Sequence, residues 1–226
     1  MERIACVELI KDYGNAKVTI HVLKNIDLSI DSNDFVGITG ASGSGKTTLL
    51  YVLSGLEKPT AGTVALFGKT TTQYEDRELA ELRRSRIGFV FQFYNLIPNL
   101  TVRENVLLAA IIAGNKDGER IDEVLAMVGM LDRQSAFPNE LSGGMQQRVA
   151  IARALVNNPD IIFADEPTGN LDSENAGEIM NILHTLNVDH HKTIVLVTHS
   201  EDFLKYCNRN VKLSDGRVVN DVRLDV

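Results

Sequence analysis

The sequence Gly40-Ala41-Ser42-Gly43-Ser44-Gly45-Lys46-Thr47 follows the apolar run 35–39 and precedes the helix-like run 48–53. In this order of strand, loop and helix, the pattern G-x-x-x-x-G-K-[ST] forms a phosphate-binding loop. Its glycines let backbone N–H groups turn inward around anionic oxygens, and the following helix adds the positive end of its dipole. We therefore expect Lys46 to reach the β- and γ-phosphates of a nucleoside triphosphate and the Thr47 hydroxyl to ligate Mg²⁺. The alternative is a glycine- and serine-rich loop that binds no ligand.

A second motif, a pair of carboxylates at the end of an apolar run, indicates hydrolysis. The run 161–164 ends in Asp165 and Glu166. A buried strand would place both carboxylates at the carboxyl edge of a sheet, where open α/β folds bind their ligands. There Asp165 can hold the hydration shell of Mg²⁺, and Glu166 can polarise an attacking water as general base. Alternatively, the two carboxylates only cap the segment that follows.

A second anion-binding position is predicted at Leu141-Ser142-Gly143-Gly144-Met145-Gln146-Gln147-Arg148. Here a serine and two glycines stand at the start of a predicted helix. The phosphate loop already provides one subunit with a binding position for the γ-phosphate, so a second one in the same subunit would be redundant. We therefore expect each of them to complete a site on a second copy of the chain.

Length and composition are those of an ordinary soluble globular protein, and we expect a single domain, 1–226. The formal net charge of −7 disfavours nucleic acid as a partner. Cys6 and Cys207 lack metal-ligand spacing, so we expect a reducing compartment and no disulfide. Residues 1–4 do not resemble a signal peptide, and the longest apolar run, 106–113, is too short to span a bilayer. We expect any membrane association to come through a partner.

The hydrophobic pattern predicts an α/β nucleotide-binding core with an all-helical insertion. Strands are predicted at 4–9, 18–23, 28–30, 63–67, 87–91, 161–164 and 193–198, with a closing hairpin at 210–219. Helices are predicted at 48–53, at 76–84 with Asp76 as the cap, at 101–113 behind a Thr101–Glu104 capping box, at 121–128 and at 143–156. We expect the core to comprise 1–91 and 158–226, and the helical subdomain with the third motif to comprise 92–157.

Together these motifs resemble the ATPase subunit of ATP-binding-cassette (ABC) transporters, and the resemblance covers nearly the whole chain. The run L-S-G-G-x-Q-Q-R-V-A-I-A-R-A-L at 141–155 is similar to the signature of that family. The resemblance implies an α/β fold: a P-loop NTPase core with a mixed, mainly parallel sheet, an antiparallel β subdomain and an α-helical insertion. It also implies ATP and Mg²⁺ as cofactors and a head-to-tail dimer, expected to be a homodimer, with the nucleotides at its interface.

The resemblance assigns roles to single residues. Gln92 would sense Mg²⁺ and water, and His199 would hold the γ-phosphate. Asp172 would lie on a loop that crosses between subunits, and Tyr13 would stack on adenine. By itself Tyr13 would also suit packing, and His199 would suit a cap. The expected ATP contacts are Tyr13, Gly40, Ser42, Gly43, Ser44, Gly45, Lys46, Thr47, Thr48, Ser142, Gly143, Gly144 and Asp172. The expected metal contacts are Thr47, Gln92 and Asp165. The residues expected to act in catalysis are Lys46, Gln92, Glu166 and His199.

Two positions depart from the family pattern. Met145 stands where the signature usually has Gln, and a thioether cannot donate a hydrogen bond. Ser200 stands where the family usually has Asp after the histidine. Neither change touches a residue that is expected to do the chemistry.

The stretches 163–173 and 95–98 are similar to one bacterial branch of the family, which serves lipoprotein release, macrolide export, cell-division signalling and antimicrobial-peptide resistance. The resemblance implies ATP-driven export or extraction of such a substrate through a separate permease, with the ATPase on the cytoplasmic face of the cell membrane. One alternative is the ATPase of a non-transporting signalling or cell-division complex. A DNA-repair ATPase fits less well, because the sequence has no heptad arm, no cysteine cluster and a negative net charge.

The apolar segment directly after Gln92 is the expected docking site of the permease. Its large apolar side chains are Phe93, Tyr94, Leu96, Ile97 and Leu100. We expect Phe93 and Leu100 to lie in the core, and Tyr94 and Ile97 to be exposed near the turn at Pro98. Exposed apolar anchors of this kind typically mark a groove for a partner helix. Alternatively, all five belong to the core that joins the two lobes.

Overall fold

The computed structural model describes residues 2–15, 18–115 and 118–224. Within these ranges the strands are β1 (Glu2–Asn15), β2 (Val18–Asp31), β3 (Phe35–Thr39), β4 (Ala61–Leu66), β5 (Lys69–Thr70), β6 (Ile87–Phe91), β7 (Ile161–Asp165), β8 (Thr193–Val197), β9 (Arg209–Ser214) and β10 (Arg217–Arg223). The α-helices are α1 (Lys46–Leu53), α2 (Asp76–Arg86), α3 (Val102–Ile112), α4 (Gly118–Met127), α5 (Gly143–Leu155) and α6 (Ser173–Val188). Among the described residues, no helix has both the length and the apolarity to cross a bilayer.

A six-stranded sheet with the order β10-β9-β3-β8-β7-β6 lies at the centre of the fold. Its neighbouring strands are parallel except for β9 and β10, which form the predicted closing hairpin. Strands β3, β7 and β8 are buried along their whole length, which explains their continuous apolar runs. Because the strands are parallel, β3, β6, β7 and β8 end at one edge of the sheet. The phosphate loop, Gln92, Glu166 and His199 follow at that edge.

The second sheet is antiparallel and has the order β2-β1-β4-β5. Helix α1 contacts strands of both sheets, and its Leu50 shares one buried core with Ile4 of β1 and Val197 of β8. Burial of one such side chain stabilises the fold by roughly 1.5–3 kcal/mol. This packing fixes α1, and with it the loop that precedes it. The two sheets confirm the predicted fold class.

Helices α3, α4 and α5 pack against one another around a core that includes Val106, Val124 and Val149. Ile162 of β7 and Leu196 of β8 belong to the same core, so the helices are continuous with one face of the six-stranded sheet. The division of the chain at 92 and 157 stays a prediction.

The caps predicted for α3 and α2 have different outcomes. Thr101 caps α3 as predicted, because its hydroxyl accepts from the Glu104 N–H at 3.3 Å while the Glu104 carboxylate accepts from the Thr101 N–H at 2.8 Å. The prediction of Asp76 as the cap of α2 is wrong. The cap is Glu75, whose N–H donates to Glu78 at 2.9 Å. In a capping box the carboxylate three residues after the cap accepts from the cap N–H. Glu78 makes this bond with Glu75, so the helix begins one residue earlier than the prediction implies.

Candidate nucleotide-binding site

The phosphate loop joins β3 to α1 along a backbone path that requires glycine. Gly40, Gly43 and Gly45 have φ angles of 145°, 77° and 100°, a region that other residues rarely adopt. A Cβ at Gly40 would also lie 2.2 Å from the carbonyl oxygen of Leu213. The glycines and the neighbouring strand β9 therefore hold the loop in one conformation.

Two polar side chains inside the loop fit an anion. The ammonium of the buried Lys46 donates to the carbonyls of Gly40 and Ala41, both at 3.0 Å. The Ser44 hydroxyl is buried and has no hydrogen-bond partner among the described residues. An unsatisfied buried hydroxyl is unfavourable, and a phosphate oxygen would satisfy it. With the N–H groups at the start of α1, the loop offers the donors that a phosphate chain requires.

An open cleft of about 280 Å³ lies over the loop. It is lined by Val22, Ser42, Gly43, Gly45, Lys46, Thr47, Thr48 and Glu166. The fold thus brings most of the predicted phosphate contacts together with the predicted general base. The predicted ATP contacts that do not line this cleft are Tyr13, Gly40, Ser44, Ser142, Gly143, Gly144 and Asp172.

Thr47 and Asp165 meet at the floor of the site. The Thr47 hydroxyl donates to Asp165 Oδ1 at 2.9 Å, although 118 residues separate them. Burial raises the pKa of Asp165, while hydrogen bonds from Thr47 and Tyr51 act in the opposite direction. Among the described residues, no group of three His, Cys, Asp or Glu side chains is arranged to hold a metal ion. The two oxygens fit Mg²⁺ nevertheless, because that ion keeps several waters and binds substrate phosphates.

Gln92 follows β6 and is joined to the loop after β7. Its Nε2 donates to Asn170 Oδ1 at 3.3 Å, and Asn170 Nδ2 donates back to the Gln92 carbonyl at 3.1 Å. A Cβ at Gly169 would lie 2.8 Å from Gln92 Nε2. The register of β6 on β7 pairs Phe91 with Asp165, so Gln92 leaves the sheet beside Glu166. The predicted metal contact of Gln92 stays a prediction.

Glu166 and His199 stand together at the same edge. His199 Nδ1 lies 3.4 Å from Glu166 Oε2, and the imidazole is 64% exposed. Glu166 has a φ of 45°, a strained conformation for a residue with a side chain. Its N–H is held by the carbonyl of Val197 at 3.0 Å. Strain that the surrounding structure holds in place is common at functional sites.

Tyr13 lies on β1 and is 38% exposed. Its hydroxyl donates to Glu57, and the ammonium of Lys11 lies 4.8 Å from the ring centroid. Burial and the hydrogen bond to Glu57 raise the pKa of Tyr13, while a hydrogen bond from Thr48 lowers it. Since Thr48 lines the nucleotide cleft, Tyr13 is placed at its margin.

We expect Tyr13→Ala to weaken ATP binding by about 5–150-fold, which corresponds to the roughly 1–3 kcal/mol of a base stacked on an aromatic ring. Equilibrium titration with ATP measures the change. Tyr13→Phe keeps the ring and loses the hydroxyl with its hydrogen bonds to Glu57 and Thr48, so it should still stack on adenine and bind ATP nearly as the parent does. Equal affinity of all three proteins would show that Tyr13 serves packing alone.

The 142–144 turn (Ser142, Gly143 and Gly144) begins α5 as predicted. The Ser142 hydroxyl caps the helix by accepting from the Met145 N–H at 3.3 Å. Asp172 caps α6 in the same way, accepting from the Asn175 N–H and from its side-chain amide, both at 2.8 Å. These bonds hold the pKa of Asp172 below its ordinary value. The roles of both loops toward a second subunit stay predictions.

The docking segment (93–100) differs in part from the expectation. Phe93 is 70% exposed, so its assignment to the core is wrong. Tyr94 is half-buried against Gly143, so its prediction as an exposed anchor is wrong as well. Ile97 is 41% exposed, as expected, and Leu100 is half-buried. The observed burial of Phe93 and Tyr94 is thus the opposite of the prediction, and no local sequence pattern indicates this.

Three residues of the site were missed by sequence reasoning. Tyr51 hydrogen-bonds Asp165, and its position one helical turn after Thr47 is a signal that could have found it. Asn170 pairs with Gln92, and Asn175 holds Asp172. These two contacts depend on the packing of loops and carry no sequence signal of their own.

Comparison with known proteins gives consistent matches. Residues 23–169 match the family model described as ABC transporter. The Lipoprotein-releasing system ATP-binding protein LolD of Bacteroides thetaiotaomicron is 45% identical over 214 residues, which are 93% of this chain and 96% of that protein. The Macrolide export ATP-binding/permease protein MacB of Mannheimia succiniciproducens is 43% identical over 99% of this chain. The chain spans only 35% of the length of that MacB.

Solved structures agree with the sequence matches. A dimeric post-hydrolysis state of the ATP-binding cassette MJ0796 bound to ADP and Pi has a TM-score of 0.90 and 43% identity, and covers 99% of each chain. A further dimeric structure of MJ0796, described as a bacterial ABC transporter cassette, has a TM-score of 0.90 and 44% identity.

Proposed function

Since this chain belongs to the ABC transporter family, we propose that two copies of it bind two Mg-ATP molecules between them and drive a permease by hydrolysing ATP. The chain is an ATPase subunit of the LolD and MacB type. One observation carries the proposal. Thr47 and Asp165 meet at 2.9 Å beside the phosphate loop, and Glu166 forms a wall of the same cleft.

We assign nucleotide binding to the loop and its margin. Lys46, Ser44 and the N–H groups of the loop bind the β- and γ-phosphates. Tyr13 stacks on the adenine. Mg²⁺ held by Thr47 and Asp165 would neutralise charge on the transferred phosphoryl group.

We assign hydrolysis to the side chains that follow the parallel strands at one edge of the six-stranded sheet. Glu166 takes a proton from the attacking water, since it lines the cleft over the phosphate loop. His199 holds the γ-phosphate, and Gln92 orients the water from the neighbouring loop. The 3.4 Å approach of His199 to Glu166 supports a shared task.

We infer that the site is completed by a second copy of the chain. The 142–144 turn presents backbone N–H groups at the start of α5 yet does not line the cleft of its own subunit. A two-fold arrangement brings each turn to the other subunit's ATP through one self-complementary contact. The dimers described for MJ0796 support this inference.

The permease partner is inferred from the relatives. LolD is named as the ATP-binding protein of a lipoprotein-releasing system, and MacB as an ATP-binding/permease protein for macrolide export. We infer that this chain acts on the cytoplasmic face of a membrane, bound to a permease that exports or extracts a lipoprotein, a macrolide or an antimicrobial peptide. The docking segment supplies exposed Phe93 and Ile97 for that contact.

We expect the double change of Phe93 and Ile97 to Ser to release the protein from membrane vesicles that contain its permease. Two exposed apolar anchors are lost, each worth more than about 1 kcal/mol if central to the interface, so binding should fall by at least about tenfold. Co-sedimentation with the vesicles measures it. The ATPase activity of the isolated chain should persist, because neither side chain lines the cleft. Val219→Ser, also at an exposed position, is the matched control, and undiminished sedimentation of the double variant would move the docking site elsewhere.

A further inference from the structure

The glycines of the 142–144 turn are not required by the backbone. Gly143 and Gly144 are absent from the described residues with positive φ, and both lie at the start of the regular helix α5. Any residue can adopt that conformation. The reason for glycine must therefore lie in what surrounds each Cα.

Tyr94 occupies the space beside Gly143. A Cβ at Gly143 would lie 2.6 Å from the Tyr94 hydroxyl oxygen, a separation that real Cβ atoms do not show. The next atoms, Leu171 Cδ2 at 3.4 Å and Tyr94 Cζ at 3.6 Å, would be ordinary contacts. A side chain at this position would therefore have to displace the Tyr94 hydroxyl.

Asn175 occupies the space beside Gly144. A Cβ there would lie 2.2 Å from Asn175 Oδ1. The other end of the same amide, Nδ2, donates to Asp172 Oδ2 at 2.8 Å. One side chain thus joins the 142–144 turn to the loop that carries Asp172.

Arg153 ties the docking segment to the same helix. Its guanidinium donates to the carbonyl of Tyr94 at 2.9 Å and also to that of Asn95. Tyr94 therefore meets α5 twice, since its side chain lies close to Gly143 and its carbonyl accepts from Arg153. Phe93, the more exposed of the two exposed apolar residues of the docking segment, is the preceding residue.

We propose that Tyr94 and Asn175 are positioning residues that hold the 142–144 turn between them, Tyr94 tying it to the docking segment and Asn175 tying it to the Asp172 loop. This inference rests on the proposed function, in which the turn engages the ATP of the other subunit. A permease seated on Phe93 then acts on the turn through the adjacent Tyr94.

A steric complementation tests the proposal in the Glu166→Gln background, in which ATP is bound and not consumed. Gly143→Ala pushes against the Tyr94 hydroxyl and should raise the ATP concentration for half-maximal dimerisation on the order of tenfold. Adding Tyr94→Phe removes the obstructing oxygen and should restore that concentration to within about threefold of the parent. Sedimentation velocity over an ATP titration measures the dimer. ATP affinity measured at protein concentrations that keep the chain monomeric should not change.

Gly177→Ala is the matched control, because a Cβ at Gly177 on α6 meets nothing within 4 Å; it should dimerise as the parent does. If Gly143→Ala dimerises normally, or if Tyr94→Phe does not rescue it, the Tyr94 contact does not position the turn and the proposal is overturned. If Tyr94→Phe does not rescue Gly143→Ala, glycine is needed at 143 because the ATP phosphate bound by the other subunit comes close to it. A parent that binds ATP yet stays monomeric would instead overturn the composite site itself.

A second variant keeps the test open if Gly143→Ala does not fold. Asn175→Asp preserves the size of the side chain but replaces the donor that faces Asp172 with a carboxylate. It should raise the half-maximal ATP concentration for dimerisation by about tenfold through like-charge repulsion, with monomer ATP affinity unchanged. Dimerisation equal to that of the parent would show that Asn175 only fills space.

Discussion

The Glu166→Gln protein is expected to hydrolyse ATP about 10²–10⁴-fold more slowly than the parent while still binding it. The amide keeps the shape of the side chain and its place in the wall of the cleft, but it cannot accept the proton of the attacking water. The phosphate loop, Thr47 and Asp165 are untouched, so nucleotide affinity should be maintained. With Mg-ATP the variant should accumulate as a dimer, because the ATP at the interface is no longer hydrolysed.

Phosphate release and size-exclusion chromatography, with and without Mg-ATP, measure the two effects. Glu81→Gln, the same exchange at an exposed carboxylate on α2, is the control and should keep full activity. Retained hydrolysis would remove Glu166 from the role of general base. A monomeric variant that binds ATP would remove either the homodimer or the composite site.

Lys46→Ala is expected to produce the largest loss of nucleotide binding. The ammonium is buried in the loop and bonded to the carbonyls of Gly40 and Ala41 at 3.0 Å. Its removal takes away the cation that would face the β- and γ-phosphates and also frees two carbonyls that repel them. Hydrogen bonds from a charged donor contribute about 1.5–3 kcal/mol, so ATP affinity should fall by about 10–150-fold for each one lost, and turnover should cease.

Isothermal titration with ATP and a turnover assay test this expectation. Lys58→Ala is the control, because the side chain of Lys58 is 83% exposed and its ammonium pairs with Asp76 on the surface. Turnover equal to that of the parent would contradict the assignment of the phosphate loop itself.

Some features of this protein followed from its sequence because they depend on neighbouring residues. The phosphate loop is such a feature, because its path needs three glycines with φ angles of 145°, 77° and 100° that other residues rarely adopt. The Thr101–Glu104 capping box, with its reciprocal bonds three residues apart, is another. Strands β3, β7 and β8 were predictable because burial on both faces demands continuous apolar runs.

Other features were decided only by the packing of distant segments. The 2.9 Å contact of Thr47 with Asp165 depends on strands that end at one edge of a parallel sheet. The bonds between Gln92 and Asn170 depend on the register of β6 on β7. The sequence predicted that these residues share a site, but it could not predict which atoms meet.

The docking segment shows the physical limit most clearly. Phe93 and Tyr94 are adjacent, aromatic and equally suited to a core, yet one is 70% exposed and the other is half-buried against Gly143. In an irregular segment no helical or strand period says which side chain faces inward. Here the guanidinium of Arg153 donates to the carbonyls of Tyr94 and Asn95, a contact from a distant helix that the local sequence does not indicate. Local sequence determined the phosphate loop and the strands around it, whereas the tertiary structure decided which side chains of the docking segment are exposed, because a side chain's exposure depends on what packs over it.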